Sequence, residues 1–72
     1  MKHVLEAERE LKSYLEGVIN GWHHGPTPSD AEVRKHVRAV LDNVGSDQDR
    51  QWLQKQTVDL LEEALTFVRL DT

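Results

Sequence analysis

The sequence predicts an all-α protein, a three-helix bundle forming a single domain over residues 1–72, with the third helix central. Three observations predict it. Apolar residues recur at helical spacing in three stretches, and none alternates as a half-buried strand would. Two breaks separate the stretches, a Gly- and Pro-rich one at 21–28 and a short one at Gly45-Ser46. Finally, Trp52–Leu70 carries more apolar residues than one helix face can use, so that helix needs two neighbours.

The first helix is expected over about 2–21. Val4, Leu11, Leu15, Val18 and Trp22 share one stripe, with Leu5 and Ile19 beside it and Tyr14 at its far edge. Lys2–Glu6 and Glu8–Lys12 are i,i+4 pairs of opposite sign. Glu8 falls within about 20° of the stripe centre, where a carboxylate needs either water or a cation. Gly21-Trp22-His23-His24-Gly25-Pro26-Thr27-Pro28 then ends the helix, because Gly accepts positive φ and Pro removes donors.

The second helix is expected over about 29–44, opened by the capping box Ser29-Asp30-Ala31-Glu32. Its stripe is narrow: Val33, Val37, Val40, Leu41 and Val44, with Arg34, Lys35 and Arg38 on the adjoining side. Gly45 stands where a left-handed C′ glycine belongs, and Ser46 where the next N-cap belongs.

The third helix is expected over about 46–70. Its apolar residues resolve into two stripes roughly 100° apart. Leu53, Leu60, Ala64 and Phe67 form one, assigned to the first helix; Val58, Leu61, Leu65 and Val68 form the other, assigned to the second. The second helix is too short to cover its stripe, so the overhang is expected to serve as an interface.

Composition narrows function. Thirteen acidic against nine basic residues give a net charge of −4, against the basic excess usual in nucleic-acid binders. There is no cysteine, hence no disulfide framework or thiolate zinc site. No apolar run is long enough for a signal peptide or a membrane span, so a cytoplasmic protein is expected, with no membrane partner. So small a chain gains little net stability from its own core, which favours a homodimer or another protein partner.

No catalytic residue, metal ligand set or cofactor site is expected. Ser29 and Ser46 are explained as caps, and no phosphate loop, G-x-S-x-G or H-E-x-x-H occurs. Length and acidity resemble those of acyl carrier proteins, but no Asp-Ser-Leu attachment site opens the second helix, so that class is set aside. The leading expectation is a non-enzymatic protein–protein interaction module (adaptor, inhibitor or regulatory subunit), with contacts expected at Tyr14, Trp22, Trp52, Val58, Leu61 and Leu65. His23, His24 and Glu8 are expected at the rim. Two alternatives stand behind it. The 29–55 region reads as a helix-turn-helix that would bring Gln48, Arg50, Gln51, Gln54 and Lys55 to nucleic acid. The four histidines, with His3–Glu6 and Glu32–His36 at helical spacing, admit a metal-binding accessory domain.

Overall fold

A computed structural model describes residues 3–22 and 25–70. It contains three helices: α1 (Val4–Asn20), α2 (Asp30–Asp42) and α3 (Asp47–Leu70). The chain is an all-α three-helix bundle in which α3 touches both other helices and packs more extensively along α1 than against α2. At 1.5 Å per residue α3 is about 36 Å long and α2 about 20 Å. The molecule itself measures 35 × 20 × 17 Å, so α3 runs its full length while α2 covers only part of it.

Local chemistry fixes most of the ends. His3 caps α1 through Nδ1, which accepts from the Leu5 amide at 3.2 Å. Gly21 ends the helix at φ 72°, and the Trp22 amide donates to Gly17 O at 2.8 Å, the 6→1 bond of a Schellman motif. A side chain at Gly21 meets open space but a strained backbone. Ser29 Oγ accepts from the Glu32 amide at 3.1 Å, so the first half of the expected capping box forms. Ser46 begins α3 in the same way, its carbonyl taking the Arg50 amide at 2.9 Å and its hydroxyl the Asp49 amide at 3.4 Å.

The end of α2 departs from expectation. Gly45 is not its left-handed terminator; among the described residues the positive-φ glycines are Gly21 and Gly25. Asn43 stays right-handed at φ −80°, ψ −10°. The Asn43 and Val44 amides reach back three residues, to Val40 O and Leu41 O, each at 3.1 Å. The last turn therefore tightens to 3₁₀ geometry and needs no left-handed residue.

The core is one cluster: Ala7, Leu11, Leu15 and Val18 from α1, Val33, Val37, Val40 and Leu41 from α2 with Val44 after it, and Leu53, Ala64, Leu65 and Val68 from α3. Thr57 joins them, its buried hydroxyl donating to Leu53 O at 2.8 Å, which removes the penalty of an unpaired polar group. The two stripes expected on α3 are in fact one broad face. It is centred near Thr57, and Val58 and Phe67 lie at its margins, about 80–100° away. Phe67, expected in the core, is 37% exposed, and Val58 is 43% exposed. Leu65, expected at an interface, is taken up by the core at 5%.

Candidate interaction surfaces

The short helix α2 is held to α3 at both ends by arginines of α3. At its C-terminal end, where carbonyls lack intrahelical donors, Arg50 Nε donates to Leu41 O at 3.2 Å and Nη2 to Val44 O at 3.3 Å. Nη1 of the same guanidinium pairs with Asp47 at 2.8 Å. No basic residue of α2 itself lies in its last turn, so Arg50 brings the cation that the helix dipole favours there. At the opposite end Arg69 Nε and Nη2 both reach Asp30 Oδ2 at 3.0 Å. Asp30 also accepts from Arg34 one turn along, and these hydrogen bonds hold its carboxyl below its ordinary pKa. Two contacts joining opposite ends make α2 and α3 an antiparallel hairpin.

Between the two ends an open groove of about 540 Å³ runs along the hairpin. Val37 and Leu41 of α2 meet Thr57, Val58 and Leu61 of α3 along its floor and walls. Arg34, Arg38 and Asp42 line it from α2, Arg50 and Gln54 from α3. Among the described residues Arg38 has no ion pair or hydrogen bond. The groove is thus apolar below and mainly basic above, in a chain of net charge −4.

A second recess, of about 410 Å³, lies where α1 ends and α2 begins. Tyr14, Val18, Trp22, Pro26 and Pro28 supply its apolar lining and Glu32 a carboxylate. Tyr14 stacks on His36 across α1 and α2, with ring centroids 3.8 Å apart and planes 13° from parallel. Burial first, and the nearby Glu32 carboxylate second, push the Tyr14 phenol above its ordinary pKa.

The residues singled out in the sequence do not gather in one place. Val58 and Leu61 line the hairpin groove; Tyr14 and Trp22 line the second recess, Trp22 with 70% of its surface exposed. Trp52, 39% exposed, lines neither. Glu8 is half-buried and pairs within its own helix with Lys12 at 3.5 Å. His23 and His24 lie outside the described residues. Of the groove's lining, Val37 and Leu41 are core residues as their stripe predicts, whereas nothing local in the sequence points to the clamps by Arg50 and Arg69. The one available hint was a basic residue near each end of α3, next in sequence to a helix whose own last turn has none.

Of the alternatives, the helix-turn-helix expectation meets a geometric obstacle. That motif crosses its helices at about 90–120°, whereas α2 and α3 run antiparallel. Arg50, one of its candidate base-contacting side chains, is occupied by the end of α2. Gln48, Gln51, Gln54 and Lys55 are exposed. Among the described residues no group of three or more His, Asp or Glu side chains is placed to hold a metal ion. No helix there is long and apolar enough to cross a membrane. No family model, curated protein or solved structure matches this chain.

Proposed function

We propose that this protein is a non-enzymatic protein–protein interaction module, an adaptor, inhibitor or regulatory subunit that works by offering a helix-lined groove to a partner. The observation that supports this reading best is the α2–α3 groove. It leaves Val58 43% exposed over an aliphatic floor, although the same helix buries Leu53 and Ala64 completely. Apolar surface framed by polar side chains gains free energy when a partner covers it.

Affinity capture from the source cell with three baits run in parallel tests the reading: the unaltered protein, Val58→Asp, and Arg9→Ala on the exposed side of α1 as control. A prey held by the unaltered and control baits and lost with Val58→Asp, at equal bait stability in urea, supports it. Identical preys on all three baits reject the groove. A second copy of the chain is one partner this reading admits, since Leu5 and Leu70 are 57% and 83% exposed near opposite ends of the molecule. Light scattering at micromolar concentration reads that self-association directly, and a monomer removes it.

A further inference from the structure

We infer that the α2–α3 groove seats an acidic amphipathic helix of another protein, laid along the hairpin as a fourth helix of the bundle. This rests on the interaction-module reading above and names the partner of that same groove.

Shape supports a helix. α2 has 13 residues, a run of about 20 Å, which matches three to four turns of a guest. Val37 and Leu41 are one turn apart on α2, and Val58 and Leu61 one turn apart on α3. Val58, 43% exposed, and Leu61 carry the α3 side, whereas Val37 and Leu41, 7% and 6% exposed, form the floor beneath, and over that floor a guest lays apolar residues at i, i+3 or i+4, and i+7. Packing a helix on an open hairpin completes a four-helix arrangement.

Charge selects which helix. Arg34, Arg38 and Arg50 line the groove against the single carboxylate of Asp42, although the chain as a whole is acidic. Arg34 shares Asp30 with Arg69, and Arg50 is engaged by Asp47 and two carbonyls, so Arg38 is the cation left for a guest carboxylate. Glu or Asp beside the guest's apolar stripe would meet it. The same charges oppose a symmetric dimer through this groove, which would bring together two linings that each hold three arginines to one carboxylate. A nucleic-acid strand would satisfy the arginines and leave the aliphatic floor unfilled.

A display library of 20-residue helical peptides tests this, with Leu fixed at i, i+3 and i+7 and Glu or Lys coded equally at every flanking position. Peptides are selected on the unaltered protein and the pool is then measured against Val58→Glu and Arg38→Glu. The expected result is a pool dominated by Glu, weakened at least tenfold by either variant, and weakened further by added salt. Arg38 is itself exposed, so Arg38→Glu carries the test if Val58→Glu fails to fold. A pool that needs Val58 but prefers Lys, or has no charge preference, overturns the acidic partner and leaves the groove an interaction site. A pool indifferent to both variants overturns the groove as well. A dimer in light scattering that Val58→Glu dissociates makes a second copy the occupant, which also overturns the proposal.

Discussion

α3 meets its two neighbours by different means. Toward α1, its chief neighbour, the packing is long and apolar, and α1 contributes Ala7, Leu11 and Leu15 with none of their surface exposed. Toward α2 the packing is shorter, fastened at its ends by Arg50 and by the Arg69–Asp30 pair, and open in between. The difference is instructive about how a 72-residue chain can keep a groove. Closing both seams with side chains would bury more surface and leave nothing for a partner. Polar clamps fix the spacing of α2 and α3 without filling the space between them.

The largest expected effect comes from damaging the apolar seam. Leu11→Ala removes a side chain that is 0% exposed, and large-to-small changes at such sites cost about 2–5 kcal/mol. For a small domain that is a large share of the available stability, since native proteins hold only roughly 5–15 kcal/mol. Urea unfolding followed by circular dichroism should show the midpoint fall sharply or the transition vanish. A loss below about 1 kcal/mol would mean that the seam is looser than its burial indicates.

Next is the clamp at the C-terminal end of α2. Arg50→Ala strips two carbonyls of their donor and removes a cation from the negative end of a helix, at a side chain 36% exposed. A loss of roughly 1–2 kcal/mol is expected, mid-range for a charged hydrogen bond and a helix-end cation. Amide exchange separates this effect from the first. Arg50→Ala should speed exchange mainly in α2, whereas Leu11→Ala should speed it throughout the bundle. Uniform acceleration by Arg50→Ala would erase the distinction between the two seams.

Asp30 sharpens the same point through pH. Hydrogen bonds from Arg34 and Arg69 lower its pKa in the folded protein, so the native state binds that proton less readily than the unfolded chain. Its contribution is therefore present above the unfolded carboxylate pKa and is lost as pH falls through that value toward the lowered native one. Asp30→Asn should lower the urea midpoint near neutral pH, by less than Arg50→Ala because the pair is exposed. The gap between variant and unaltered protein should close on acidification. A gap that persists at low pH would assign the effect to packing.

The contrast between seams also explains what the sequence could reveal. Helices α1, α2 and α3 were legible because their apolar period and their caps at Ser29 and Ser46 are local, each set by a few neighbouring residues. The end of α2 was misjudged because Gly45 looks like a terminator while Asn43 and Val44 already close a 3₁₀ turn. Phe67 was misplaced for a related reason: hydrophobicity marks both margins of a broad face, and only packing decides which margin is covered. The clamps were hidden because Asp30 and Arg69 are 39 residues apart and meet only once the register of two helices is set. The groove was half visible: Val58 and Leu61 stand out on α3, and Val37 and Leu41 are core residues as their stripe predicts, but only the register of α2 on α3 makes them the floor of a groove.

The smallest effect belongs to the Tyr14–His36 stack, the aromatic contact between α1 and α2. Tyr14→Phe keeps the ring and its stacking, worth about 0.5–1.5 kcal/mol for such pairs, and deletes only the hydroxyl. Near neutral pH the variant should therefore unfold almost with the unaltered protein. Alkaline pH should separate them. A phenol whose folded pKa is raised contributes stability that is complete below its unfolded pKa and lost as pH rises through the folded one. The unaltered protein should then destabilise with rising pH more than Tyr14→Phe does. Absorbance of the phenolate should place the Tyr14 titration above 10.0, its ordinary value. Glu32→Gln should bring it partway down and no further, since burial is the larger cause and the carboxylate the smaller. A return all the way to the ordinary value would make the carboxylate the whole cause, and the ring would then be wetter than its seat between two helices allows.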